Sequence, residues 1–279
     1  MIKFLRAFAF VLLFMVLHII IQAVIMNVYI NITESALLPA SGEASSDLSS
    51  VNIGQISLIA SFISFLAFIL VFKMRGKNLF SACKFTKSSS VKSLSYGLMF
   101  GLSSNFVISI IMGLLMEIRL FDNVFRQYED HISFMMFRGD ILFPLLGIGI
   151  ITPIVEELIF RGAIISELET ILSSKVVVLI QGLLFGAFHL DVVQGAYTAV
   201  IGVFLGYMVY KTGSIWPAVA AHIALNTLGV FLTIPEGLDF VEKYNNVILA
   251  VLLISFAMSI VYFIKLPRKA SVGDSSIKA

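Results

Sequence analysis

The sequence predicts an all-α protein, a polytopic transmembrane helical bundle of about eight spans. Three observations predict it. Apolar residue classes make up 59% of the 279 residues and charged residues only 13%, where a soluble domain is nearer half apolar and ~25% charged. Apolar runs recur along the chain, each about long enough for a ~30 Å hydrocarbon core at ~1.5 Å per residue. Two soluble domains would fit the length, but no internal repeat, Gly-rich phosphate loop or soluble domain interrupts the runs.

The runs place spans at 5–30, 55–74, 93–116, 141–165, 176–190, 197–210, 215–234 and 247–264. The first exceeds a signal-peptide core and lacks a small-x-small cleavage site, so it reads as a retained span. Loop 31–54 is rich in Ser, Ala and Glu without Lys or Arg and reads as a mobile outer loop. The fifth and sixth spans are short, with a turn at Asp191 to Gly195. The chain thus divides into an N-terminal three-span region with outer loops (1–140), a core with the last span (141–264) and a disordered cytoplasmic tail (265–279).

Charge orients the set. Lys3 and Arg6 precede the first span, and Lys73, Arg75, Lys77, Lys84, Lys87 and Lys92 cluster after the second. Lys175, Lys211 and the tail (Lys265, Arg268, Lys269, Lys278) fall on the same side. Arg119, Arg126, Arg138 and Lys243 fall opposite, among Glu34, Glu43, Asp47, Asp122, Glu129, Asp130 and Asp140. Both termini are therefore expected in the cytoplasm. The net charge of +2 adds little, and nucleic acid is not an expected partner. Cys83 is the only cysteine, which excludes an intramolecular disulfide; it reads as an inert thiol in a basic loop.

Against this apolar background, Glu156 and Glu157 sit side by side with Arg161 one turn on. Charges at membrane depth are expensive and mark cavities, pathways or reaction centres. The four-residue spacing lets Glu157 pair with Arg161, while Glu156 is turned about 100° away and is left available as a base. A structural ion pair would not need the second glutamate. Two further pairs share helix faces at the same spacing: Phe185 with His189, and His222 with Asn226. Each alone is consistent with packing or interhelical hydrogen bonding; three on successive apolar segments make a case for chemistry. By the span boundaries, Glu156 falls in the cytoplasmic third of its span and His189 toward the outer end of its own, so they meet only if the fifth helix is strongly offset. His18 stands without a nearby polar partner and His131 lies in an outer loop, so neither is assigned a role.

Glu156-Glu157-x-x-x-Arg161, Phe185-x-x-x-His189 and His222-x-x-x-Asn226, in this order, resemble the three motifs of the CPBP family. That family groups type II CAAX prenyl endopeptidases with bacterial bacteriocin-processing and self-immunity proteins, also described as lysostaphin resistance protein A-like. Thr212-Gly-Ser-Ile-Trp-Pro217 resembles the family's lead-in to the last motif, and the likeness covers about residues 141–230.

The resemblance implies an intramembrane endopeptidase in a bacterial cell membrane, acting on a membrane-associated or lipidated peptide or protein. It implies Glu156 as general base working with His189 on a water, His222 and Asn226 as oxyanion donors, and Glu157, Arg161 and Phe185 as supporting residues. Bacteriocin maturation, self-immunity or cell-envelope regulation would be its setting. A metal-free mechanism is the expectation; zinc held by Glu156, His189 and His222 is the alternative. Two other readings stay open. One is a non-proteolytic scaffold regulating a partner such as a sensor kinase. The other is a proton-coupled transporter, against which the lack of inverted repeats weighs. Oligomeric state is not legible.

Overall fold

The computed structural model describes residues 2–37, 52–118, 121–135 and 141–268. Most of the outer loop and nearly all of the polar tail therefore lie outside the described residues, as do Glu43, Asp47, Arg119, Arg138 and Asp140 and the side chains of Glu34, Glu129, Asp130 and His131. The described residues form helices joined by short turns and no strand. Helix α1 is Ile2–Leu37, α2 Ile53–Met74, α3 the short Leu79–Ala82, α4 Val91–Met116 and α5 Asp122–Met135. Then follow α6 (Leu142–Leu168), α7 (Ser174–Phe188), α8 (Val192–Thr212), α9 (Trp216–Phe231) and α10 (Pro235–Lys265).

Six of these are long and apolar enough to cross a membrane: α1, α2, α4, α6, α8 and the Asn246–Lys265 part of α10. The other two predicted spans are apolar but shorter, with 15 residues in α7 and 16 in α9. At ~1.5 Å per residue they run only about 22–24 Å. The sequence reading also took 117–140 as outer loop, whereas α5 forms there. Its Phe125 is buried, and Tyr128 hydrogen-bonds Tyr197 of α8.

Sequence signals set the helix ends. Asn52, Asn78, Ser90 and Asp191 each accept a backbone N–H three residues on, as N-caps do. Gly213 ends α8 in the left-handed conformation that favours glycine (φ 67°). Ser214 Oγ then donates to the Lys87 carbonyl at 2.6 Å, and Trp216 Nε1 to the Phe85 carbonyl at 3.0 Å. Pro217 begins α9. This lead-in fixes α9, and with it His222, against the basic α3–α4 loop.

Helix α6 is the centre of the bundle. From Val155 to Ile165 every residue is buried, the mark of a helix surrounded by others. It touches α1, α2, α7, α8 and α9. One apolar cluster joins α1, α2, α6 and α7 around Phe14, Phe72, Phe160 and Phe185. A second joins α4, α8, α9 and α10 around Phe100, Leu205, Ala221 and Phe263. Buried Glu157 and Arg161 of α6 reach across to the second group, to His222 of α9 and the Gly202 carbonyl of α8.

The backbone of α6 departs from the regular helix that the sequence reading assumed. Leu145–Ile151 and Leu158–Ile164 are π-helical, on either side of the α-helical Thr152–Glu157. The Thr152 N–H bonds the Gly147 carbonyl and the Ile165 N–H reaches the Phe160 carbonyl, both five residues back. Such wide turns concentrate at functional sites. Here carbonyls of the first one accept side chains of α9: Asn226 Nδ2 donates to Ile148 at 3.1 Å and Thr227 Oγ1 to Gly149 at 3.2 Å.

Candidate active site

Glu156 and Glu157 lie near the middle of α6, not toward one end. The expected offset between Glu156 and His189 disappears for a simple reason: α7 is too short to cross. Glu156 stands about 18 Å along the helix from the Leu168 end. The turn from α6 returns the chain at Ser174, and α7 stops after about 22 Å, leaving His189 at its C-cap at similar depth. Leu190 takes a left-handed φ of 56°, and Asp191 caps the next helix, so the chain reverses there.

Glu157 is fully buried and its Oε1 is the hub of the site. Arg161 Nη1 lies 2.9 Å from it, and His222 Nδ1 lies at 2.9 Å from the other side. The Arg161 contact lacks hydrogen-bond alignment, so charge holds it. Arg161, also fully buried, donates from Nη2 to the Gly202 carbonyl at 3.3 Å, which Gln181 Nε2 shares at 2.8 Å. Its guanidinium covers the Phe185 ring at 4.2 Å. Burying this ion pair is weak grounds for stability, because desolvation offsets the attraction. Its effect is to fix the position of a carboxylate against His222.

That carboxylate sets the state of His222. A carboxylate only accepts, so Nδ1 carries the proton donated to Glu157, and Nε2 points toward Glu156, whose Oε2 is 3.6 Å away. A carboxylate holding one imidazole nitrogen while the other faces the reaction is the orienting logic of catalytic triads.

His189 arrives differently. Its Nδ1 donates to the Phe185 carbonyl at 2.8 Å, which leaves Nε2 uncommitted. Phe185 stands edge-on to His189 at 4.9 Å and to His222 at 5.5 Å. One ring thus spaces both imidazoles and Arg161. Its seat depends on Gly202: a Cβ there would lie 2.9 Å from Phe185 Cδ1 and 3.2 Å from Gly182 Cα. Glu156 makes no direct bond to His189; its near neighbour is His222, whose Nε2 is 3.6 Å from Oε2.

The structure therefore brings Glu156, Glu157, Arg161, Phe185, His189 and His222 together. Asn226 lies one turn beyond His222, but one N–H of its amide is committed to the Ile148 carbonyl, leaving the second. Among the described residues no group of three or more His, Cys, Asp or Glu is arranged to hold a metal ion.

The sequence reading missed His18. It is fully buried, its Nδ1 lies 2.7 Å from Ser64 Oγ of α2, and Gln22 Nε2 lies 2.9 Å from its Nε2. Its ring stacks on Phe188, the neighbour of His189, at 5.5 Å and 17°. The expectation that it has no nearby polar partner is corrected. Gln22 is four residues on and shares its face, a spacing that was readable in the sequence. Ser61 Oγ also joins Thr152 Oγ1 at 2.8 Å, one turn before Glu156.

Residues 138–228, about a third of the chain, match the family model described as Type II CAAX prenyl endopeptidase Rce1-like. The Bacillus subtilis (strain 168) protein named "Putative membrane peptidase YdiL" is 28% identical over 105 residues, 37% of this chain and 43% of that protein. The match thus spans less than half the length of that relative. No solved structure matches the chain.

Proposed function

We propose, from the premise that residues 138–228 are a CPBP-family domain, that this integral membrane protein is an intramembrane endopeptidase. Its substrate is a membrane-associated or lipidated peptide or protein. The observation that carries the reading is the fixed line Arg161–Glu157–His222, which aims Nε2 at Glu156 in the middle of the bundle. Glu156 takes a proton from a water held with His189, and the water oxygen bonds the carbonyl carbon of the scissile amide. The C–N bond then breaks and the proton passes to the leaving nitrogen. His222, held through Nδ1 by Glu157, stabilises the oxyanion from Nε2, with the second N–H of Asn226 as the other donor.

The test compares membrane proteomes of cells carrying wild type and Glu156→Gln. It then measures cleavage of the identified substrate at equal levels of folded protein. Glu156→Gln keeps the shape and removes the base, so the rate falls at least ~10²-fold. Asn226→Ala removes one oxyanion donor and lowers the rate roughly 10²–10³-fold. Adding His189→Ala to Glu156→Gln lowers it much less than the product of the single losses, because the residues act as a unit. Activity survives exhaustive chelation. A wild-type rate in Glu156→Gln overturns the assignment, and retention of the cellular phenotype by all of these variants favours a scaffold role.

The basic end of the bundle faces the cytoplasm in this reading, with both termini there. Reporter fusions at residue 85 read inside and at residue 45 outside; a cytoplasmic signal at 45 reverses the orientation. Bacteriocin maturation, self-immunity and cell-envelope regulation are the settings the family suggests.

A further inference from the structure

A groove of about 510 Å³ runs between the start of α4 and the end of α10, at the basic end of the bundle and away from the glutamates. The volume lies in the ~300–1,000 Å³ range of ligand sites. Ala257, Val261 and Lys265 line it at four-residue spacing, on one face of α10. The groove therefore follows the helix axis for about 12 Å, from an apolar inner end to an ammonium at the outer one. Tyr96 and Tyr262 form its wall, stacked at 4.2 Å and 11°. Ser93 Oγ fixes the Tyr262 hydroxyl at 2.8 Å. Lys92 stands 5.6 Å over the Tyr262 ring.

The charges here are one-sided. Residues 88–104, 204–217 and 253–268 meet at this end and contain no Asp or Glu. Lys211 is committed to the Ile264 carbonyl at 3.0 Å, and Arg268 lies 4.3 Å over the Tyr210 ring. Lys92 and Lys265 form no ion pair with a described residue.

We propose that this groove binds one anionic phospholipid, its acyl chain along Ala257, Met258 and Val261 and its phosphate between Lys92 and Lys265. An apolar chain in line with a negative head matches both the direction of the groove and its charge. A zwitterionic head would bring an ammonium to two lysines with no carboxylate to receive it. A partner helix seated in the groove would desolvate both ammonium groups without pairing them. The proposal is independent of the peptidase reading.

The test uses the full chain, purified in mild detergent and titrated with phosphatidylglycerol or phosphatidylcholine, with bound lipid counted by native mass spectrometry. Wild type retains one phosphatidylglycerol in preference to phosphatidylcholine. Each lysine near an anionic head contributes about fivefold in affinity, so Lys92→Gln with Lys265→Gln lowers it roughly 25-fold. Lys3→Gln with Lys73→Gln makes the same charge change elsewhere and leaves binding intact. Ala257→Trp fills the groove without altering charge and also displaces the lipid. Equal retention of the two lipids, undiminished binding in the lysine double variant or in Ala257→Trp, or a protein in place of lipid overturns the proposal.

Discussion

The inner and outer helices of this bundle draw on the same apolar residues and do opposite things with them. In the most apolar window of α6 50% of residues are buried, and in α8 44%; in α1 the share is 17%, and in the last span 11%. The inner helices tolerate glutamate, arginine and glutamine because Glu157 meets Arg161 and His222, and Arg161 and Gln181 share the Gly202 carbonyl. The outer helices present Leu, Ile, Val and Phe to lipid and bury a single stripe. In α1 that stripe is Ala7, Val11, Phe14 and His18, spaced four, three and four. Hydropathy alone ranks the outer helices as the better membrane spans and the inner ones as the poorer. What separates the two sets is enclosure, which makes a buried charge affordable and its partner indispensable.

The largest expected effect breaks that enclosure at its centre. Arg161→Leu leaves the Glu157 carboxylate fully buried without its cation. Losing one partner of a buried pair costs about 3–5 kcal/mol. The yield of folded protein in detergent should collapse, and adding Glu157→Gln should restore part of it by removing the stranded charge. If Arg161→Leu folds at wild-type yield, the ion pair is not what the inner helices are built around.

Packing gives a second, smaller comparison within one helix. A Cβ on Gly101 of α4 would run into the Ala221 carbonyl of α9, whereas one on Gly113 meets nothing within 4 Å. Overpacking costs about 1–3 kcal/mol, so Gly101→Ala should lower the melting temperature. Gly113→Ala should leave it unchanged or raise it, since alanine is the better helix former by ~1 kcal/mol. Equal effects at the two positions would mean that α4 is not held against α9 by close approach.

The sequence was a good guide wherever the signal is periodic. Span positions follow from run length, and the Glu157–Arg161 and Phe185–His189 relations from four-residue spacing on a helix. The His222 partner was not legible in that way. Glu157 and His222 lie 65 residues apart and meet only because the lead-in at Thr212 to Pro217 docks on the α3–α4 loop. The π turns were invisible for a related reason: they answer to contacts with neighbouring helices, Gly147 against Gly54 and Gly162 against Cys83, not to local propensity. Of the two His18 partners, Gln22 was readable at four-residue spacing, whereas Ser64 was not, because it belongs to another helix. Cys83, expected to be inert, is buried, and burial pushes its thiol up to about 12.

The smallest expected effect sharpens the comparison at the basic end of α6, where two glutamates close in sequence meet different surroundings. The Glu167 side chain is 3% exposed and lies 2.7 Å from Arg75, itself stacked on Phe10 at 3.5 Å. Glu169 is 27% exposed and pairs with Lys84 at 3.2 Å. An exposed pair contributes about 0–1 kcal/mol and is screened by salt. Glu169→Gln should therefore shift the thermal midpoint little, and less still in 0.5–1 M salt (roughly a 3–4 Å Debye length). Glu167→Gln should cost about 1–3 kcal/mol, the range for a bond to a charged, nearly buried group, and should change little with salt. Thermal unfolding of both variants at low and high salt measures the difference. If the two substitutions behave alike, enclosure is not what sets the worth of a charge at this end of the molecule. The contrast between inner and outer helices would then rest on the Glu157–Arg161 pair alone.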